Sequence, residues 1–200
     1  MLKIIVTGPE SSGKTTLCKA LSKHFKIPFS EEYARKYLNN LGKNYQKNDL
    51  LRIAKGQFKN EQIKTNNNQL SLYDTDLITI KIWNNHKYGK CDKWILEQIK
   101  KQQSEERFYF LCKPDIPWKA DPLRETPTNR LKLFKIYKKE LENLGHSYFV
   151  IEGEHRLKDS ISKISNLIVF LSNLIKGCQL AEIIPIEPEM VIHPREMSQH

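Results

Sequence analysis

Long apolar runs are missing from this chain. The most apolar late stretch, Ile161 to Ile175, is interrupted by Ser162, Lys163, Ser165, Asn166, Ser172 and Asn173, so no unbroken run of about 20 residues exists to span a bilayer. The opening run that ends at Gly8 is too brief for the core of a secretory leader. No transmembrane helix, no export and no membrane partner are therefore expected. Cysteine is sparse as well: Cys18, Cys91, Cys112 and Cys178 stand far apart with no C-x-x-C pair, which argues against a zinc site or a disulfide framework and implies reduced thiols in a cytoplasm. There is no internal repeat and no low-complexity linker. Nor are the lysines gathered with interleaved aromatics; they are spread over Lys36 to Lys64 and Lys132 to Lys139, as on a solvated basic face, which makes a nucleic-acid partner an unfavoured reading.

What is present is an ordinary globular composition. Of 200 residues, 39% are hydrophobic and 28% charged, which excludes disordered, collagen-like and coiled-coil chains. The net charge of +10 favours polyanionic partners, nucleotides among them. One domain over residues 1–176 is expected, followed by a tail, 177–200, that carries Pro185, Pro188 and Pro194 and room for one short strand.

Leu2 to Thr7 is a dense, β-branched apolar run closed by Gly8-Pro9, as in a strand buried on both faces. From Gly13 the spacing turns helical, with Leu17, Ala20, Leu21 and Phe25 on one face. An extended piece near Ile27 to Phe29 precedes a helix from Glu31 to Leu41, and a polar helix runs from Asp49 to about Lys64. Past the breaker Asn66-Asn67-Asn68, Gln69 to Tyr73 reads as a second core strand ending at Asp74. Helices follow at Leu77 to Asn84 and Lys93 to Gln103, then a strand at Arg107 to Cys112. The prolines of Lys113-Pro114-Asp115-Ile116-Pro117 enforce a loop that reaches to about Pro127. A helix from Asn129 to Asn143, a strand from Ser147 to Ile151 and a helix from Leu157 to Ile175 complete the pattern. Strands alternating with helices predict an α/β fold, a mostly parallel sheet covered by helices on both faces.

Gly8-Pro9-Glu10-Ser11-Ser12-Gly13-Lys14-Thr15 matches G-x-x-x-x-G-K-[ST], the P-loop of nucleoside triphosphatases. Four fixed positions recur by accident in roughly one chain of this length in a hundred, and this copy also lies between an expected strand and helix. The glycines let backbone N–H groups curl round a polyphosphate while the helix N-terminus adds positive charge. Lys14 bridges the β- and γ-phosphates and the Thr15 hydroxyl ligates Mg²⁺, with Thr16 next on the same helix turn, so ATP and Mg²⁺ are the expected cofactors.

Asp74 and Asp76 follow a strand whose carboxyl end should border the ligand crevice. Asp74 is read as the metal ligand and Asp76 as catalytic base or substrate contact, the alternative for Asp76 being an N-cap of the next helix. Two-residue spacing aims both the same way only while the chain stays extended. The proline-bounded loop with Asp121-Pro122-Leu123-Arg124, followed by Arg130, reads as a lid, with Arg124 as the arginine that meets charge on the transferred phosphoryl group and Trp118 as a lid anchor or ligand contact.

In order and content, the P-loop decapeptide Gly-Pro-Glu-Ser-Ser-Gly-Lys-Thr-Thr-Leu, Glu32-Tyr33-Ala34-Arg35, Asp74-Thr75-Asp76 and the Asp115…Asp121-Pro122-Leu123-Arg124 segment resemble the ribosylnicotinamide kinase domain of the bifunctional bacterial NadR proteins. The resemblance spans about residues 1 to 175 and implies a nucleoside-kinase-like P-loop fold with a lid. It also implies ATP-dependent phosphorylation of the 5′-hydroxyl of nicotinamide riboside, giving nicotinamide mononucleotide. Carried over, Gly8 to Thr16 and Arg124 take ATP, with Glu152 and Arg156 bordering adenine. Glu32, Tyr33, Arg35, Asp76 and Asp121 lie on the nucleoside side. The family places Trp before Glu-Tyr where this chain has Glu31, leaving Glu31, Glu32, Tyr33 and Tyr37 to attract the pyridinium ring. The His-x-Gly-His site of the adenylyltransferase half is missing, so adenylylation is expected elsewhere. The competing readings are a kinase for another nucleoside or small metabolite, and a nucleotide-switched ATPase or binding protein; either a monomer or a homo-oligomer fits.

Overall fold

The computed structural model describes residues 2–63 and 70–175. The proposed tail 177–200 with Cys178, the division at 176/177, the Asn66-Asn67-Asn68 breaker and Gln69 lie outside the described residues.

Five strands, β1 (Leu2–Thr7), β2 (Phe29–Ser30), β3 (Leu70–Asp74), β4 (Arg107–Cys112) and β5 (Ser147–Ile151), form one sheet in the order β2-β3-β1-β4-β5. Every described pairing is parallel. The helices are α1 (Lys14–Phe25), α2 (Tyr33–Leu41), α3 (Lys47–Ile63), α4 (Leu77–Tyr88), α5 (Lys93–Gln102), α6 (Arg130–Asn143) and α7 (Arg156–Ile175). The extended piece expected near Ile27 is the two-residue β2, held at the sheet edge by Phe29↔Leu72 and Ser30↔Tyr73.

Alternation along the strands divides two cores. Ile4 and Val6 of β1, Phe110 and Cys112 of β4 and Phe149 of β5 face Leu17, Leu21, Ile164 and Leu167 of α1 and α7. Ile5, Tyr73, Tyr109, Leu111 and Tyr148 face the other way, onto α3 to α6. Both faces are apolar because helices cover both, so the strands read as continuous apolar runs instead of alternating ones. The central position of β1 follows, since Ile4, Ile5 and Val6 are wholly buried.

The register sets the site. Val6↔Asp74 and Thr7↔Leu111 bring the carboxyl ends of β1, β3 and β4 level, which is where ligands sit in an open α/β sheet.

Candidate functional site

The phosphate loop turns out of β1 at Gly8, whose φ of +132° and position allow no side chain: a Cβ there would lie 2.6 Å from the Cys112 carbonyl oxygen at the end of β4. Ser11 and Gly13 also have positive φ, +52° and +86°. Within the loop, the Ser12 hydroxyl and the Lys14 ammonium both donate to the Pro9 carbonyl at 2.8 Å. No side chain caps the start of α1 and its first turn holds no acidic residue, so the helix end keeps its positive character for an anion.

The Thr15 hydroxyl donates to Asp74 Oδ2 at 2.6 Å, while Asp74 Oδ1 is buried without a partner. A buried carboxylate oxygen left unpaired beside a hydroxyl fits a hard cation that would take both. Burial pushes the Asp74 carboxyl above its usual range, while Lys14 and the Thr15 hydroxyl pull it down. Among the described residues no group of three His, Cys, Asp or Glu side chains could hold a metal ion. Thr15 and Asp74 are the residues that would hold Mg²⁺, with waters and phosphate oxygens supplying the rest of its ligands.

Asp76 is placed differently from the role expected of it. Thr75 has φ +68°, rare for a β-branched residue, and its N–H donates to the Val6 carbonyl at 3.0 Å. The chain between the two aspartates is therefore not extended, and their carboxylates part. Asp76 is buried, caps α4 through Ile78 N at 3.0 Å, and accepts from Tyr109 Oη at 2.7 Å and Arg107 Nη1 at 3.4 Å. Arg107 also pairs with Glu61 at 2.8 Å and Glu105 at 2.7 Å. This buried charge network lies under the site, and Asp76 is not a wall of the cleft. Asp76 is thus the N-cap of α4, and the catalytic or substrate-contact role expected of it is not borne by this geometry.

At the mouth of β2, Glu32 and Arg35 line the cleft with Ala34 and Leu38. Tyr33, expected at the substrate, instead packs into the core: its N–H donates to Gln57 Oε1 at 2.8 Å and its ring covers Gly56 of α3. A Cβ on Gly56 would fall 2.1 Å from Tyr33 Cε1. Gly56→Ala is thus expected to lose about 1–3 kcal/mol to overpacking against about 1 kcal/mol of recovered helix propensity. Thermal unfolding of the variant would check the loss.

The loop between β4 and α6 covers the phosphate loop. Arg124 Nη1 donates to the Lys119 carbonyl and lies 3.4 Å from Ser11 Oγ; Arg130 Nη1 donates to the carbonyls of Ser11 (3.1 Å) and Ile116 (2.9 Å). Trp118 packs beside both guanidiniums, 5.9 and 5.7 Å from its ring centre. Asp121 is a clasp for this loop and not a wall: it pairs with Arg35 at 2.9 Å and accepts from Leu123 N at 3.0 Å. Arg156, at the start of α7, reaches the phosphate loop by donating to the Ser12 carbonyl at 2.9 Å, and it also pairs with Asp115. Glu152 does not line the cleft; it pairs with Lys113.

The cleft continues from the phosphate loop, Gly8 to Thr16, to walls that sequence reasoning missed. Thr79, Ile82, Trp83 and His86 of α4 form one stripe on it, and Leu133 and Tyr137 of α6 face them. The signal was available: α4 follows the aspartates directly, and those four positions recur at helical spacing. The Trp83 indole is fixed because its N–H donates to Tyr45 Oη at 2.9 Å.

Residues 3–157 match the family model described as AAA domain. No curated protein matches in sequence. The NadR protein solved in complex with NR overlays with a TM-score of 0.64 at 23% identity, over 82% of this chain and 51% of that one. NadR with NAD and AMP-PNP gives 0.58 at 21%, over 82% and 49%. Deoxyadenosine kinase from M. mycoides, with dCMP and dCDP bound, gives 0.54 at 18%, over 84% and 100%. The chain thus spans about half the length of the NadR chains, and it shares its P-loop fold with NadR and deoxyadenosine kinase. Among the described residues no helix is long and apolar enough to cross a membrane.

Proposed function

The chain belongs to the AAA domain family, and from that premise we propose that it is an ATP-dependent kinase that phosphorylates the 5′-hydroxyl of nicotinamide riboside to nicotinamide mononucleotide. One observation carries the reading: a single cleft joins the phosphate loop, with Lys14 and Thr15, to an acceptor end walled by Glu32, Arg35 and Trp83. The acceptor end presents the polar side chains of Glu32, Arg35, Thr79 and His86. It also has a fixed indole, that of Trp83, to which a flat cationic ring is attracted. Support from outside the chain is the fold likeness to NadR bound to NR.

In this reading the phosphate loop and Lys14 hold the β- and γ-phosphates of ATP, and Arg124 approaches from the lid to meet charge on the transferred group. Mg²⁺ held at Thr15 and Asp74 would neutralise phosphate charge. Glu32 takes the place first given to Asp76. As the acceptor oxygen bonds to the γ-phosphorus and the bond to ADP breaks, the hydroxyl proton passes to the Glu32 carboxylate. The reading calls for ATP and Mg²⁺ as cofactors and goes with a cytoplasmic location.

Burial pushes the Glu32 carboxyl above its ordinary 4.5; Lys14 and Arg35 pull it down, and the Asp74 and Glu10 carboxylates add to the rise. A base works only when ionised, so kcat is expected to fall as pH drops through this raised value, with the acid limb above 4.5. Glu32→Gln should lower kcat by about 10²- to 10⁴-fold and abolish that limb. The deciding experiment is a panel of nucleosides with Mg-ATP, recording ADP release and phosphorylated product. Nicotinamide riboside at background with a deoxynucleoside turned over would replace this reading with the neighbouring deoxynucleoside kinase one.

A further inference from the structure

Glu10 sits at a variable position of the phosphate loop, where a carboxylate repels a polyphosphate and so needs another reason to be there. Its contacts supply one. Oε2 accepts from the backbone N–H of Glu125 at 2.9 Å, the N–H of Thr126 at 3.0 Å and the Thr126 hydroxyl at 2.8 Å. Three donors on one ionised oxygen form a strong, directional attachment, and all three belong to the distal end of the lid.

That end is also where the lid meets the acceptor wall. Glu125 Oε2 accepts from Tyr45 Oη at 2.8 Å, and Tyr45 Oη in turn accepts from the Trp83 indole N–H at 2.9 Å. Lys87 bonds both Tyr45 Oη and Glu125. The proximal half of the lid is held separately, by Lys119 N on Ser11 Oγ at 3.0 Å and by the Asp121–Arg35 pair. Without Glu10, the Glu125–Thr126 segment would lose its direct bond to the phosphate loop while the rest of the lid kept its own.

We infer that Glu10 is a positioning residue: it pins the Glu125–Thr126 segment to the phosphate loop, and through Glu125 and Tyr45 it sets the indole face of Trp83 at the acceptor end. The lid then closes over nucleotide and acceptor together, and water is kept from the γ-phosphate until the acceptor is in place. The inference rests on the kinase reading of the cleft, but the attachment itself does not depend on which acceptor is used.

The test uses the full chain with Glu10→Ala, Glu10→Gln and Thr126→Val. In Glu10→Ala, amide hydrogen exchange at Glu125 and Thr126 is expected to quicken by about tenfold or more. The acceptor KM should rise by about tenfold, and ATP hydrolysis without acceptor should rise several-fold relative to transfer, while ATP binds at least as tightly because a like charge has gone. Glu10→Gln keeps an oxygen that accepts from the same donors and should recover most of the loss. Thr126→Val removes one of the three bonds from the lid side, leaves the phosphate loop untouched and should be intermediate, so it decides the matter if Glu10→Ala does not fold. Wild-type exchange at both amides and a wild-type ratio of hydrolysis to transfer, in both Glu10→Ala and Thr126→Val, would overturn the inference. Should the wild-type protein phosphorylate no nucleoside, the kinase reading falls, and the exchange measurement alone decides the attachment.

Discussion

Lys14→Ala is expected to lower kcat/KM for phosphoryl transfer by about 10³-fold or more, the scale seen when a preorganised charge at a reacting centre is removed. The ammonium already lies inside the loop, bonded to the Pro9 carbonyl at 2.8 Å. A polyphosphate that enters the loop offers it charged oxygens in place of a neutral one, and an ionic partner makes a stronger bond. Part of that gain is realised only as charge moves on to the leaving and transferred oxygens, so kcat should fall along with ATP affinity. Stability should change little, because the side chain is half-buried at the cleft and one carbonyl bond is what it gives up. Steady-state kinetics with Mg-ATP, together with a thermal melt, would check the prediction. Turnover retained near the wild-type level would place the chemistry elsewhere in the molecule.

The second large effect is on stability. Arg107 is buried at the start of β4 between Glu61, Asp76 and Glu105. Burial pushes the Glu61 carboxyl up to about 7 in spite of the arginine, and burial likewise raises Asp76. Arg107→Ala leaves two buried carboxylates without their cation, at an expected cost of about 3–5 kcal/mol. For a chain of this length that is a fall in Tm of roughly 6–20 °C. The sign of the pH dependence follows from the raised carboxylates. The folded variant holds their protons more tightly than the unfolded chain does, so stability is lost as pH rises through the unfolded value toward the folded one. The deficit should therefore be larger at about pH 8 than at about pH 5. Arg107→Met combined with Glu61→Gln should recover part of the loss, because removing both partners strands less charge than removing one. Urea unfolding at the two pH values would measure it; an equal deficit at both would mean that the carboxylates are paired by other groups.

The network also bears on the site. Arg107 and Tyr109 anchor Asp76, the residue after Thr75, and the left-handed turn at Thr75 is what leaves Asp74 beside Thr15. A residue first read as catalytic thus serves by holding another in place. The reason is directional. In an extended segment the side chains of residues 74 and 76 share a side, and a single positive φ between them removes that relation. Tyr33 was misplaced for a similar cause: the glycine that accepts its ring, Gly56, is 23 residues further along, on another helix. Glu152 is drawn to Lys113 by an ion pair that forms between two strand ends, and nothing near residue 152 in the chain announces it.

What the chain order alone determined was everything that depends on near neighbours. The apolar β-branched runs, the helical stripes, the proline-bounded lid and the glycine-lysine-threonine loop each obey rules written over a few residues, so strands, helices, parallel α/β class and phosphate loop were all legible in advance. What only the tertiary structure decided was which side chains converge: Trp83 in the cleft, Asp76 withdrawn to Arg107, Glu10 turned to the lid. Those outcomes depend on where a chain at one strand end meets a helix many residues away, and on the sign of one dihedral angle. Neither quantity is carried by residue type or local spacing.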